Sequence, residues 1–114
     1  MAKTVISVEE TEGSFSVVRV QGNIDIHSIH DLKEVSRGAV KRDKPHLLID
    51  MEEVDYVDSA GLGAFLQLVK STRQFGGKIH LFCVKKEIER IMHLTELNKI
   101  IPFFVSEEEA IGGL

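Results

Sequence analysis

The fold is decided by residues 47–77, LLIDMEEVDYVDSAGLGAFLQLVKSTRQFGG. This segment opens on three consecutive apolar residues, 47–49, which is typical of a short strand buried on both faces of a sheet. Residues 61–75 then predict a helix with apolar residues at positions i, i+3, i+4 and i+7, namely Leu62, Phe65, Leu66 and Val69. We expect this stripe to lie in the core, and Gly76-Gly77 to end the helix as a left-handed C-cap does.

Strands and helices alternate on both sides of this segment. Two strands over 5–8 and 15–20, joined through Gly13, predict a β-hairpin, and Ser28 is the expected N-cap of a first helix. Later elements are a strand over 78–84, a helix around 88–92, an edge strand over 100–105 and a helix that starts at Ser106. This order predicts an α/β fold in which right-handed parallel crossovers follow the hairpin. We therefore expect a mixed sheet of four to five strands, an N-terminal β-hairpin followed by βα units, and about four helices, in a single domain over residues 1–114.

Composition excludes several classes of protein. A net charge of −4 argues against direct binding to nucleic acid. The single Cys83 rules out an intrachain disulfide and disfavours a structural zinc site. No apolar run approaches the roughly 18 residues of a membrane span, and residues 1–10 lack the basic and apolar regions of a signal peptide. We therefore expect a cytoplasmic protein without membrane insertion.

The candidate site lies where two segments leave the carboxyl ends of strands, over 22–28 and 50–63, because binding sites of such sheets form there. Residues 50–63 carry five carboxylates and no basic residue. Ser59 stands at the expected N-cap of the central helix, where its simplest role is to accept a backbone N–H. Ala60, Gly61 and Gly63 follow it. Each glycine costs a helix about 1 kcal/mol relative to alanine, so we interpret these small residues as access for a partner to the Ser59 hydroxyl.

Other chemistry has weaker support in the sequence. The pattern after Ser59 lacks the third glycine of a dinucleotide fingerprint. Before Ser59, Val57 stands where a G-x-S-x-G hydrolase motif has its first glycine. His27 and His30 are spaced as a conceivable metal pair, although surface or capping histidines are far commoner. No acid–base pair for catalysis is evident, so we expect no enzyme activity, no cofactor and no metal.

Residues 58–63, Asp-Ser-Ala-Gly-Leu-Gly, resemble the phosphorylation motif of bacterial anti-sigma factor antagonists, the small single-domain STAS proteins. Residues 22–25, Gly-Asn-Ile-Asp, resemble that family's turn after its second strand, and the predicted order of elements matches the STAS fold over nearly the whole chain. The resemblance implies that Ser59 is phosphorylated by a partner that is both an anti-sigma factor and a serine kinase. A PPM-type phosphatase would remove the phosphate.

The same resemblance implies which residues contact the partner: Asp25, Asp58, Ser59, Ala60, Gly61 and Gly63. A phosphate adds a charge of about −1.5 to −2. Beside one carboxylate at 6 Å and an effective dielectric constant of about 20, a dianion is unfavourable by about 5 kcal/mol before screening. The helix dipole offsets only about 0.3–1 kcal/mol of this. A loss of about 4 kcal/mol turns a micromolar complex into a millimolar one, so one phosphate suffices for release.

The chain has no phosphate-binding G-x-x-x-x-G-K-[ST] loop, so ATP and Mg²⁺ should come with the kinase. An alternative remains open at this point. Similar folds also serve as non-switching STAS subunits, either as the scaffold of a signalling assembly or as part of a lipid or anion transport system, and fold alone does not decide between these functions.

Overall fold

A five-stranded sheet forms the centre of the computed structural model, which describes residues 3–114. Met1 and Ala2 belong to the predicted domain but lie outside the described residues. The strands are β1 (Val5–Glu10), β2 (Phe15–Ile24), β3 (His46–Val57), β4 (Ile79–Phe82) and β5 (Phe103–Phe104). They lie in sequence order across the sheet; β1 is antiparallel to β2 and the remaining pairs are parallel. The predicted hairpin and mixed sheet are confirmed.

The helices divide between the two faces of the sheet. They are α1 (Ile29–Ala39), α2 (Ser59–Arg73), α3 (Lys86–Leu94) and α4 (Glu107–Gly112), with a 3₁₀ turn over Leu97–Lys99. The major core lies beneath the first three, where Leu32, Phe65 and Met92 are fully buried. Because neighbouring strand residues point to opposite faces, Val17 and Leu48 face the other side, where α4 covers them.

The central helix α2 starts and ends two residues earlier than the sequence predicts. Its buried face consists of Gly61, Ala64, Phe65, Leu68, Val69 and Thr72. Of the predicted apolar stripe, Leu66 is wrongly assigned to the core, since its side chain is 40% exposed. Gly76 has a φ of 73° and lies in the turn after the helix, as a left-handed ending requires.

The predicted end of β3 at residue 49 is wrong, because the strand continues to Val57. Two register shifts against β2 each insert one extra residue into β3, the first between Asp50 and Glu53 and the second between Val54 and Tyr56. The buried residues of this half are therefore Met51, Val54 and Val57, a spacing of three that hides the alternation of a strand. The bulged strand still ends in register with β2, since Ile24 pairs with Val57.

Two features of residues 3–114 concern membranes and metals. None of the helices has the length and apolar content needed to cross a bilayer. In this part of the chain, no three His, Cys, Asp or Glu side chains are grouped as a metal site would need. His30, one member of the conceivable metal pair, contacts Glu34 at 3.0 Å instead.

Candidate functional site

Asp58 holds together the two segments that leave the ends of β2 and β3. It is the N-cap of α2, and its Oδ1 accepts a hydrogen bond of 2.8 Å from the Gly61 N–H. Its Oδ2 accepts one of 3.2 Å from the Ile26 N–H, and its own N–H donates to the Ile24 carbonyl. With both oxygens engaged, the Asp58 carboxylate is fixed between the first turn of α2 and the loop before α1.

Ser59 is the first residue of α2, so its predicted place at the N-cap is wrong by one residue. The preceding carboxylate takes over the capping bond that Ser59 was expected to make. The Ser59 side chain is exposed, and within residues 3–114 its hydroxyl forms no hydrogen bond. Ser59 is therefore available to another molecule without loss of the helix cap.

Asp25 lies on the neighbouring loop in a tight hydrogen-bonded turn. Its Oδ1 accepts from the His27 N–H at 3.0 Å, and its carbonyl accepts from the Ser28 and Ile29 N–H groups. The buried Ser28 hydroxyl accepts from the Asp25 N–H and donates to the Asn23 carbonyl, so it holds this turn. Ser28 is the N-cap residue of α1, as predicted, but its side chain makes no capping hydrogen bond. Because Ile24 pairs with Val57, the turn that carries Asp25 lies beside the start of α2.

Gly61 and Gly63 lie in the first turns of α2 and differ in what surrounds them. Gly61 is buried, and a side chain there would collide with the Ile24 carbonyl oxygen and approach the Val57 side chain to 2.8 Å. Packing of α2 against the end of β2, and not partner access, accounts for glycine at this position. At Gly63 an added Cβ would meet nothing within 4 Å. Gly63 is therefore a weak helix former without a packing role, one turn beyond Ser59.

The five predicted carboxylates do not form one cluster. Asp50 lies on the face of the sheet covered by α4, where Arg19 contacts it at 2.9 Å and also contacts Glu107 at 3.0 Å. The hydrogen bond to Glu107 is the largest of the influences that raise the pKa of Arg19. Asp55 pairs with Lys85 at 2.6 Å. Asp58 is thus the one predicted carboxylate of 50–63 that directly precedes Ser59, and Asp25 adds a second from the neighbouring loop.

Sequence reasoning missed the apolar part of this site. Ile26 is 67% exposed in the loop that Asp58 holds, and Leu66 lies two turns along α2 on the same side as Ser59. An isoleucine between two polar residues of a turn was the available signal for Ile26. Apolar side chains so placed, next to fixed carboxylates, are typical of a surface that binds another protein.

The fold and this arrangement agree with the comparison to known proteins. The model of the STAS domain family matches residues 6–110. The chain therefore belongs to the STAS domain family, as the resemblance of residues 58–63 indicated.

Its relatives include named regulators. The anti-sigma-B factor antagonist of Listeria monocytogenes is 32% identical over 108 residues, which is 95% of each protein. The anti-sigma F factor antagonist of Paenibacillus polymyxa is 26% identical over 99 residues, covering 86% of this chain and 85% of that protein. Among solved structures, an anti-sigma factor antagonist from Mycobacterium paratuberculosis is 26% identical, has a TM-score of 0.81, and covers 97% of this chain and 93% of its own.

Proposed function

We propose that this protein is an anti-sigma factor antagonist that binds its anti-sigma factor through the surface around Ser59 and releases it when Ser59 is phosphorylated. The observation that carries the proposal is the exposed Ser59 hydroxyl, which is not needed for the helix cap and follows a fixed carboxylate. The names of relatives that align over nearly the whole chain support the class of partner.

We define the Ser59 surface as Asp25, Ile26, Asp58, Ser59, Ala60, Gly63 and Leu66. The open space at Gly63 lets a partner approach α2 closely. Ile26 and Leu66 supply apolar contact, and the carboxylates attract a basic partner surface. Gly61 contributes indirectly, because it sets the position of the first turn of α2.

The fixed carboxylate explains why one phosphate suffices. A phosphate on Ser59 adds a charge of about −1.5 to −2 next to Asp58. Since both Asp58 oxygens hold backbone N–H groups, the carboxylate cannot turn away without breaking the cap of α2. The added charge and bulk therefore fall on the contact with the partner, which loses affinity while the fold stays intact.

The protein supplies only the hydroxyl in this scheme and is not itself an enzyme. The anti-sigma factor acts as the serine kinase and brings ATP and Mg²⁺, and a PPM-type phosphatase restores the free hydroxyl. The protein needs no cofactor and makes no direct contact with nucleic acid. A sigma-factor pathway places these events in the cytoplasm.

The test uses a matched pair of serines on α2. The protein is incubated with its anti-sigma factor and ATP, and the modified residue is identified by mass spectrometry. We expect one phosphate, on Ser59 and not on Ser71, whose hydroxyl donates to the Gln67 carbonyl three turns further along. Ser59→Ala should bind the partner and resist release, Ser59→Asp should bind at least about tenfold more weakly, and Ser71→Ala should behave as the natural protein does.

Two results would overturn the proposal. One is that the Ser59→Ala and Ser59→Asp variants bind the partner with equal affinity. The other is a Ser59→Ala variant that changes only the free energy of unfolding. Either result would favour the alternative of a non-switching STAS subunit in a signalling assembly or a transport system.

A further inference from the structure

We propose that the far end of α2 carries a second docking surface, which binds an acidic protein segment whether or not Ser59 is phosphorylated. We define this basic end as Arg37, Lys70, Arg73, Phe75 and Lys78. Fourteen residues of helix separate Ser59 from Arg73, which corresponds to about 21 Å. The two surfaces share no residue.

Two cavities flank the C-terminal half of α2. One, of about 400 Å³, lies between α1 and α2 and is lined by residues that include Arg37, Val40, Lys70, Ser71 and Phe75. The other, of about 170 Å³, lies on the opposite side of the helix and is lined by residues that include Arg73, Lys78, Ile100 and Pro102. The larger cavity has room for the side chain of a leucine or phenylalanine.

Apolar groups at this end are exposed without an evident role in the fold. Phe75 is 43% exposed at the rim of the larger cavity, and Ile100 is 44% exposed at the smaller one. Aromatic side chains at the edge of a cavity commonly anchor a bound segment. The basic end thus combines apolar anchor points with open space.

The charge of the basic end is opposite to that of the whole chain, which has a net charge of −4. Within residues 3–114, Arg37, Lys70, Arg73 and Lys78 form no ion pair. Ion pairs engage four other cations, Arg19, Lys41, Lys85 and Lys99. Within the same residues, Lys86 and Arg90 on α3 also form no ion pair, which makes them a matched control for the basic end. The helix dipoles favour cations in the last turns of α1 and α2, but they do not explain Lys78, which lies beyond both helices, or the exposed Phe75 beside the cavity.

The combination favours an acidic protein segment over nucleic acid as the occupant. A carboxylate-rich segment complements the four cations, and one apolar side chain can enter the 400 Å³ cavity. A nucleic acid strand would bind through its phosphates and leave that cavity unused, and the net negative charge of the protein would oppose its approach. This inference is independent of the proposed function, because it involves none of the residues of the Ser59 surface.

The experiment measures binding of a fluorescein-labelled peptide, rich in glutamate with a single central leucine, by fluorescence anisotropy. Three further probes are the same peptide with serine for leucine, with lysine for every glutamate, and a labelled single-stranded oligonucleotide. We expect saturable binding of the acidic leucine peptide, at least about tenfold tighter than that of the other three probes. Added salt should weaken the binding, because the contacts are exposed and charged.

The variants test whether binding occurs at the basic end. The double variant with Lys70→Glu and Arg73→Glu should bind the leucine peptide at least about tenfold more weakly. The matched control makes the same charge change on α3, with Lys86→Glu and Arg90→Glu, and should leave the affinity unchanged. Phe75→Ser should weaken binding of the leucine peptide and leave binding of the serine peptide unchanged. Ser59→Asp should change nothing. If the first pair does not fold, as judged by circular dichroism, glutamine replaces glutamate at both positions.

The proposal is overturned by equal loss of affinity in the α3 control, because that would indicate unspecific attraction. Tighter binding of the oligonucleotide would overturn it in favour of nucleic acid, and absence of saturable peptide binding would overturn it outright. None of these results changes the outcome of the phosphorylation assay at Ser59, so failure here is distinguishable from failure of the proposed function.

Discussion

The two ends of α2 differ in how the chain holds them. The N-terminal end is fixed by the Asp58 carboxylate, which accepts backbone hydrogen bonds from two segments, and its neighbouring charges are negative. The C-terminal end is flanked by two cavities and carries unpaired cations within the described chain. One helix thus joins a rigid acidic surface to an open basic one. Taken together, the two proposals assign partners of opposite charge to the two ends of one helix, with no contact shared between them.

Although cavities flank the C-terminal half of α2, the turn just after the helix is tightly packed. We expect an added side chain to destabilise the fold most at this turn. A side chain at Gly77 would overlap the Pro45 carbonyl, a backbone group that cannot swing aside as the end of a flexible side chain does. We therefore expect Gly77→Ala to lower the free energy of unfolding by about 3 kcal/mol, measured in urea. Gly38→Ala is the control, since an added Cβ there meets nothing within 4 Å, and it should stabilise α1. Equal stability of the two variants would contradict this.

At the opposite end, loss of the Asp58 carboxylate removes two hydrogen bonds together. We expect Asp58→Ala to lower the free energy of unfolding by about 2 kcal/mol, because both the helix cap and the bond to the Ile26 N–H disappear. Asp58→Asn keeps one acceptor for the Gly61 N–H and should lose about half as much. Urea unfolding measures both variants, and an alanine variant as stable as the natural protein would show that Asp58 does not hold the two segments together.

Gly63 separates stability from binding at the Ser59 surface. Gly63→Ala should raise the free energy of unfolding by about 1 kcal/mol, since alanine is the better helix former and the site is open. We expect the same methyl group to weaken binding of the anti-sigma factor about tenfold by hindering close approach. Calorimetry of the complex checks this, with Gly38→Ala as a variant that gains stability and keeps its affinity. An unchanged affinity of the Gly63→Ala variant would show that Gly63 does not belong to the Ser59 surface.

Acid should lower the stability of the fold through two histidines near the basic end. Burial lowers the pKa values of His46 and His80, and the Lys78 charge lowers both further. At His80, the hydrogen bond that Nδ1–H donates to the Ala110 carbonyl at 2.9 Å offsets part of this lowering. The unfolded chain then binds protons more readily than the folded chain does. The free energy of unfolding therefore falls as the pH drops through about 6.5, the ordinary pKa of histidine.

Thermal unfolding between about pH 7.5 and pH 5 measures this effect, which is the smallest of the four. Lys78→Ala removes the neighbouring charge and should reduce the fall in stability. A melting temperature that stays constant over this range, or a slope unchanged by Lys78→Ala, would show that these histidines do not act in this way.

Much of the fold follows from local pattern, and the exceptions have physical causes. The hairpin and α2 have clear periodicity in the sequence, whereas the second half of β3 does not, because its two bulges change the spacing of Met51, Val54 and Val57. The sequence predicts the N-cap one residue late because aspartate and serine cap helices equally well and stand side by side at 58 and 59. Tertiary contacts decide between them.

The candidate site divides in the same way. The motif of residues 58–63 points to Ser59 without any structure. The reason for Gly61 required the position of Ile24 on a distant strand, and the separation of Asp50 from Ser59 required knowledge that β3 is long. The basic end arises from residues of α1, α2 and the following loop that only the folded chain brings together.

The strand order has a consequence for how the protein is made. Because every strand pairs with the one before it in the sequence, each βα unit can add to the growing sheet as it leaves the ribosome, and no strand has to wait for a later one to be inserted beside it. Among the helices of residues 3–114, α4 alone lies on the second face, where it covers Val17, Leu48 and Phe82. Until residues 107–112 have been synthesised, these side chains are exposed, and a nascent chain stalled before that point should be held by chaperones.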